Sequence, residues 1–127
     1  MGEIYDNVYN FSVILKNGFH ATVAFSDGND VPYDLVGATA QMQLTRIVDS
    51  VLEFSWTTAN GLIVLSQNAV IFTVPPESMT PSVYILSEEQ YPIQNYSYSL
   101  SVYASDSSLL GGFTGTFTII QVNSGIN

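Results

Sequence analysis

Hydrophobic and polar residues alternate one by one along most of the chain, the period that places successive side chains on opposite faces of a β-strand. The clearest segments are residues 38–47, 51–57 and 95–104, each bounded by turn-forming residues. Residues 75–81, which include three prolines, have room for one helical turn and no more. The pattern therefore predicts about eight strands and at most one short helical turn.

The central part of the chain, residues 33–74, predicts four short strands in an antiparallel meander, because the turns between them are too short to hold a helix. Strand 38–47 is expected to direct Ala40, Met42 and Leu44 inward, with Arg46 on the same face at the solvent end. Strand 51–57 is expected to direct Leu52, Phe54 and Trp56 inward. The single Trp is therefore predicted to lie in the core.

Two Asn-Gly pairs predict hairpins, since this dipeptide favours the tight turns that join antiparallel strands. Asn17-Gly18 would join residues 11–16 to 19–25, and Asn60-Gly61 would join 51–57 to 62–65. The nearly continuous apolar runs 62–65 and 69–72 are typical of strands covered on both faces. Near the C-terminus, Pro92 is expected to block regular pairing, and residues 106–112 to form a turn before a last strand at 113–122.

Short strands at even spacing without a long helix indicate an all-β fold, a two-layer antiparallel β-sandwich of immunoglobulin-like shape. A small barrel is the alternative. A chain of 127 residues fits a single domain. We expect an N-terminal arm at residues 1–10, the sandwich at 11–122 and a C-terminal tail at 123–127.

Charge narrows the range of partners. The formal net charge is −9, and Lys16 and Arg46 are the only Lys and Arg residues, which disfavours binding to nucleic acid and to anionic membranes. Without Cys, the chain has neither disulfides nor thiolate chemistry. The N-terminal sequence lacks the basic start and apolar run of a secretory signal, and no apolar run reaches the roughly 20 residues of a membrane span. We therefore expect synthesis in a cytosol.

Candidate chemical groups do not combine into a recognisable site. His20, the only histidine, lies on a predicted strand, and no nucleophile motif accompanies it. Residues 27–30 with Asp34 offer oxygen ligands for calcium, but an Asx-rich loop accounts for the same residues. Glu53 paired with a loop acid such as Glu88 or Glu89 would suit a glycosidase. We assign no catalytic, cofactor-binding or metal-binding residue and do not expect an enzyme.

The predicted outward faces carry Ser, Thr, Gln, Asn and Tyr, where exposed strands usually carry Lys and Glu that prevent pairing with neighbours. A subunit covered by sister subunits in an ordered assembly does not need such charges. We therefore expect protein partners and homo-oligomers. The interface residues we predict are Tyr5, Tyr9, Tyr84, Ile85 and Tyr91.

The order of several segments resembles a small β-sandwich module that recurs in virion proteins of tailed bacteriophages. That module typically reads D-L-T-G-x-x-A-x-M-Q-[LI]-R, then N-G-x-I-x-L, Y-x-Y-D-L and a glycine-led final strand. The likeness covers residues 11–122, with Ser99 where the module usually has Asp. The matching segments are residues 33–44 (YDLVGATAQMQL), 60–65 (NGLIVL), 96–100 (YSYSL) and 110–119 (LGGFTGTFTI).

The resemblance implies a structural, non-enzymatic subunit of a phage particle, in the tail, baseplate, neck or capsid surface, located in the virion and binding neighbouring virion proteins. Two other functions remain open. A carbohydrate- or receptor-binding module would use exposed Tyr84, Tyr91 and Tyr103 to stack on sugars. A glycoside hydrolase would need two carboxylates facing one cleft, about 5–9.5 Å apart.

Overall fold

The computed structural model describes residues 8–24, 34–86 and 91–121. Two β-sheets pack face to face around one hydrophobic core. The strands of the described residues are β1 (Phe11–Ile14), β2 (Phe19–Ala24), β3 (Thr39–Arg46), β4 (Leu52–Thr57), β5 (Ile63–Leu65), β6 (Ala69–Val74), β7 (Ile85–Leu86), β8 (Pro92–Tyr103) and β9 (Leu109–Ile120).

The larger sheet has the order β1-β9-β8-β3-β4, with β7 against β8, and the smaller sheet has the order β2-β6-β5. The predicted all-β, immunoglobulin-like sandwich is confirmed, because the chain crosses between the layers as it does in that fold. One pair is not antiparallel: β1 runs parallel to β9, with Phe11 opposite Phe117. Two three-residue 3-10 turns, Leu15–Asn17 and Pro76–Ser78, occur where at most one helical turn was expected.

Aromatic rings from both sheets fill the centre of the core. Phe19 of the smaller sheet lies 4.9 Å from Phe117 and 5.0 Å from Phe72 between ring centroids. Trp56 is only 1% exposed and meets Phe117 at 5.6 Å, so its predicted core position is confirmed. Burial of rings this large contributes much of the stability of a small sandwich. The inward positions predicted for β3, Ala40, Met42 and Leu44, are also confirmed.

The hairpin predicted at Asn17-Gly18 is wrong, because β1 and β2 belong to different sheets. A 3-10 turn ends at Asn17, and Gly18, at φ +70°, donates its N–H to Leu15 O before the chain enters the second layer. A Cβ on Gly18 would press on the carbonyl oxygen of Val74. Glycine therefore serves here as a crossover between layers.

The meander predicted for residues 33–74 is also interrupted by a crossover between the two sheets. β3 pairs with β4 and β5 with β6, but Asn60-Gly61 carries the chain from one sheet to the other. The Asn60 side chain explains the difference. Its Oδ1 accepts from the N–H groups of Thr57 and Leu62, and its Nδ2 donates to Ser55 O. These bonds occupy the outer edge of β4, where a hairpin partner would otherwise pair.

The apolar runs predicted to be covered on both faces form β5 and β6. Ile63 and Phe72 point into the core, whereas Val64 and Ile71 point outward and Val64 is 47% exposed. The described residues of the chain do not cover this outer face. That another molecule covers the outer face of β5 and β6 stays a prediction.

Strand β8 begins at Pro92, so the expectation that this proline blocks pairing is wrong. A proline fits the first position of a strand because only its carbonyl is needed there, and Pro92 O accepts from Gln121 N at 2.9 Å. The turn predicted at 106–112 is shorter: the Asp106 carboxylate accepts from Ser108 N and Oγ. Gly111 and Gly112 therefore lie within β9.

Residues 8–10 of the predicted N-terminal arm continue the line of β1 along β9. Tyr9 donates its N–H to Thr114 O, and Asn10 Oδ1 accepts from Thr116 N and Oγ1. The phenol of Tyr98 donates to Tyr9 O at 2.6 Å. A Cβ on Gly115 would collide with Tyr9 O, so glycine is required for this close approach. Residues 1–7 and 123–127 lie outside the described residues.

Candidate functional site

Among the described residues, a network of polar side chains lies at one end of the sandwich, around Arg46 at the end of β3. Arg46 Nε donates to Asp49 Oδ1 at 3.0 Å, and Nη1 donates to Glu53 Oε1 at 3.2 Å and to Ser82 Oγ at 3.0 Å. Arg46 was expected to reach solvent, but it is buried. We call Arg46, Asp49, Glu53, Ser82 and Tyr96 the Arg46 cluster.

A β-bulge places Glu53 in this cluster. Leu44 lies opposite Phe54 and Thr45 lies opposite Leu52, which leaves Glu53 as the extra residue of β4. A bulge re-aims the side chain that it carries, so Glu53 reaches Arg46 instead of facing outward as predicted. The same shift turns Leu52 outward, where it is 52% exposed, and its predicted core position is wrong.

The carboxylate of Glu53 holds the segment that closes this end of the sandwich. It accepts hydrogen bonds from Ser82 N at 2.7 Å, Ser82 Oγ at 2.8 Å and the Tyr96 phenol at 2.7 Å. Nearby, Gln94 donates to Val83 O at 2.8 Å. These contacts fix the backbone that leads into β7.

The protonation of these groups follows from their partners. Burial alone would raise the pKa of the Glu53 carboxyl, but hydrogen bonds from Tyr96 and Ser82, with the charge of Arg46, hold that pKa below its usual value. Burial, and then the bond to Glu53, raises the pKa of the Tyr96 phenol. The hydrogen bond from Arg46 lowers the pKa of Asp49. A general acid needs a raised carboxyl pKa, so the lowered pKa of Glu53 does not suit the general-acid role of a glycosidase.

Of the other candidate groups, the structure describes His20 and Asp34, whereas the hydrogen-bond partners of Glu53 are Arg46, Ser82 and Tyr96. His20 is exposed on the outer face of β2. Asp34 Oδ1 accepts from Val36 N, an Asx turn, while residues 27–30 and the pair Glu88-Glu89 lie outside the described residues. Among described residues, no three His, Asp or Glu side chains are close enough to hold a metal ion. Within the same ranges, no helix is long and apolar enough to cross a membrane.

The predicted interface residues lie in two places. Tyr9 is exposed beside β9, with its ring edge-on to Phe113 at 4.8 Å. Ile85 and Tyr91 are exposed and Tyr84 is half-buried near the Arg46 cluster. Tyr5 lies outside the described residues.

A shallow groove of about 290 Å³ runs beside Ile85, on the outer side of the larger sheet. The apolar side chains of Ile47 and Val48 form part of its wall, and both are exposed. Sequence reasoning missed them because they belong to a turn after an alternating strand, where apolar residues give no periodic signal. The remaining walls are Gln94, Asn95, Thr116 and Thr118.

Charge is distributed unevenly over the described residues. In the strands that the structure describes, both outer sheet faces are free of acidic and basic side chains, apart from His20 on the smaller sheet. Every described acid or base instead lies in a turn or loop, at the bulge, or at the inner end of β3. On the larger sheet the polar outward residues of the three central strands are Thr39, Gln41, Gln43, Thr45, Asn95, Ser97, Ser99, Ser101, Tyr103, Thr114, Thr116 and Thr118.

A second groove, of about 530 Å³, lies between the segment Leu35–Ala38 and strand β5. Leu35 N donates to Gln67 O at 2.8 Å and so joins its two sides. Val36 and Val64 form exposed apolar parts of its wall. Among the described residues, no acidic or basic side chain lines this groove.

The chain matches no family model, no curated protein and no solved structure.

Proposed function

We propose that this protein is a structural, non-catalytic subunit of a tailed-bacteriophage virion that binds sister or neighbouring subunits through its sheet faces and loops. The phage setting is supported by the sequence resemblance over residues 11–122. The mode of action, assembly through surfaces, is supported by the geometry of the described residues.

The observation that carries the assembly mode is the absence of charge on the outer face of the larger sheet in the described residues. Charged side chains on exposed strands keep soluble sheets from associating. A face of Ser, Thr and Gln offers many hydrogen bonds and little desolvation cost compared with buried ions. Such a face fits a surface that is covered in an assembly.

The exposed apolar side chains around the groove at Ile85 fit the same function. Ile47, Val48, Ile85 and Leu86 all lie at one end of the molecule and are exposed. Apolar groups at the centre of a polar surface are the usual composition of protein interfaces. A standard interface buries about 800 Å² on each partner, which one sheet face with this end could supply.

The charge of the chain indicates which partners are suited to it. Arg46 is committed to Asp49 and Glu53, which leaves Lys16 as the other basic side chain. Phosphate backbones are therefore poor partners. Basic patches on neighbouring proteins would complement the net charge of −9.

The decisive experiment looks for the chain in particles. Virions of the phage that encodes the chain are banded by density, washed in high salt and analysed by mass spectrometry. We expect the chain at a fixed copy number that matches a symmetry of the particle, and deletion of its gene should give incomplete particles. A chain found only in the unassembled fraction, with normal particles after deletion, would refute the proposal.

One observation favours a second function, binding of host glycans. Tyr103 lines a hollow of about 230 Å³ together with Gln41, Thr57 and Thr58, so an aromatic ring lies beside amide and hydroxyl groups. Sugars bind through this combination of stacking and hydrogen bonds. A glycan array tests it with Tyr103→Ala: binding that this variant loses supports a receptor-binding module, and an array without signal removes it.

A further inference from the structure

The backbone of β2 carries a row of polar groups on the outer edge of the smaller sheet. Thr73 N donates to Leu62 O and Ser66 N to Ala69 O, so the odd-numbered residues of β6 bond to β5. In an antiparallel ladder the alternate residues then face the other neighbour. It follows that Phe19, Ala21 and Val23 bond to β6, and that three residues of β2 direct their N–H and C=O groups away from it: His20, Thr22 and Ala24.

None of the described residues pairs with this outer edge. It contains neither the bulge nor the proline that usually protects edge strands, and its register with β6 is unbroken over six residues. It has no Lys, Arg, Asp or Glu. The edge of β4 differs, since Asn60 bonds to Thr57 N and Ser55 O there.

We infer that the outer edge of β2 pairs with the same edge of a second copy of this chain, antiparallel and about a two-fold axis at Thr22. Three outward residues centred on Thr22 are self-complementary. Thr22 lies opposite Thr22 of the second copy, and His20 lies opposite Ala24 of the second copy, so the six N–H and six C=O groups of the two edges form six hydrogen bonds.

Charge favours a second copy over a foreign strand. A chain of net charge −9 can associate with itself only where acids do not face acids, since like charges directly opposite are destabilising. The β2 edge meets this condition. Pairing joins the two smaller sheets into one continuous sheet of six strands and brings the outward side chains of Thr22, Ile71 and Val64 into one row.

This inference rests on the proposed function, which it deepens by naming one partner, but the two fail separately. The mass of the purified chain tests the β2 edge, whereas the content of washed virions tests the phage proposal. A dimer absent from particles would refute only the phage proposal, and a virion protein that is monomeric when purified would refute only the edge pairing.

Sedimentation equilibrium of the full chain at about 1–100 µM gives the first measurement. We expect a mass that rises from 13.9 kDa towards twice that value. Thr22→Asp places two carboxylates opposite each other on the axis and should weaken dimerisation about tenfold or more. Thr73→Asp, one strand further in on the same outer face, adds the same charge and should leave the dimer nearly unchanged.

A cross-link gives the second measurement, because the chain has no Cys of its own. In Thr22→Cys the two Cα atoms would lie about 5.5 Å apart, within disulfide range. In Thr73→Cys the strand spacing sets them at least about 14 Å apart. Mild oxidation should therefore link the first variant at least about tenfold faster than the second.

Circular dichroism and thermal melts confirm that each variant is folded. A wild-type chain that stays at 13.9 kDa at the highest concentration, or equal cross-linking of the two Cys variants, would overturn the inference. A dimer that Thr22→Asp and Thr73→Asp affect equally would overturn it as well, because the interface would then lie elsewhere.

Discussion

The two sheets share one core but treat their edges differently. In the larger sheet, side chains take up backbone groups along two strands: Asn60 does so on β4 and Asn10 on β9. In the smaller sheet, no described side chain does this for the outer edge of β2. On their inner faces, both sheets contribute buried apolar side chains to the core. Protecting backbone groups at the rim of a sheet is therefore a separate requirement, which described side chains meet on β4 and at residue 116 of β9 but not along β2.

The largest effect should come from Gly115→Val, which tests the closed side of the larger sheet. The added side chain would collide with Tyr9 O and displace residues 8–10, together with the hydrogen bond from Tyr98. We expect the free energy of unfolding to fall by about 2–3 kcal/mol in urea denaturation. Thr114→Val, at the preceding position, should change the free energy of unfolding by less than about 0.5 kcal/mol. Equal stability of the two variants would contradict the docking of residues 8–10.

Glu53→Gln tests the end of the larger sheet through its pH dependence. The pKa of Glu53 in the folded chain lies below the ordinary value of 4.5, so its stabilising contribution is complete above that pH and disappears as pH falls through the folded value. We expect the variant to be less stable by about 1–2 kcal/mol at pH 7, with the difference closing towards pH 3. Urea denaturation from pH 3 to pH 7 measures this.

The control for that experiment is Glu77→Gln, which removes an exposed carboxylate from the 3-10 turn Pro76–Ser78. Its free energy of unfolding at pH 7 should stay within about 0.5 kcal/mol of wild type, as is usual for an exposed side chain. If the free energy of unfolding changed with pH in the same way in both variants, net charge, and not the Arg46 cluster, would explain the loss of stability at low pH.

Asn60→Ala should have a smaller effect on stability, about 1 kcal/mol, because its partners are exposed and water replaces the lost bonds. Asn60→Asp keeps the oxygen that accepts from Thr57 and Leu62 and should lose less. Asn60→Ala also exposes the backbone groups at the outer edge of β4, so we expect light scattering to show more self-association of this variant than of wild type. An unchanged scattering profile would mean that Asn60 does not protect this edge.

The smallest effect should come from Val64→Thr on the outer face of the smaller sheet, within about 0.5 kcal/mol in urea denaturation. The matched substitution Ile63→Thr, one residue earlier, places a hydroxyl in the core and should cost about 1–3 kcal/mol. A large loss for Val64→Thr in the isolated chain would show that this outer face is already covered.

The sequence predicted strand faces well and strand partners poorly. Alternation placed Ala40, Met42, Leu44 and Trp56 correctly, because a period of two is a local property of a strand. The same rule failed at Leu52, where the bulge at Glu53 changes the phase. It also gave no warning that Arg46, at the end of a correctly predicted face, would be buried between two acids.

Asn17-Gly18 and Asn60-Gly61 show where local information ends. Both dipeptides were correctly predicted to be turns, but neither forms a hairpin. Gly18 crosses to the other layer because Phe19 packs on Phe72 and Phe117, and Asn60 leaves β4 because its side chain occupies the edge. Such outcomes depend on residues far away in the chain.

What the sequence by itself determined is the all-β class, the inward faces of β3 and the uncharged outward positions, since each follows from residue types repeated at a period of two; the choice of two layers over a barrel needed the structure. Tertiary structure alone decided which strands are neighbours, that β1 lies parallel to β9, that Glu53 turns to Arg46, and that β2 is left with an unpaired edge among the described residues. The physical reason is that a strand's hydrogen-bonding groups are the same for every sequence, so only packing of the whole chain selects their partners.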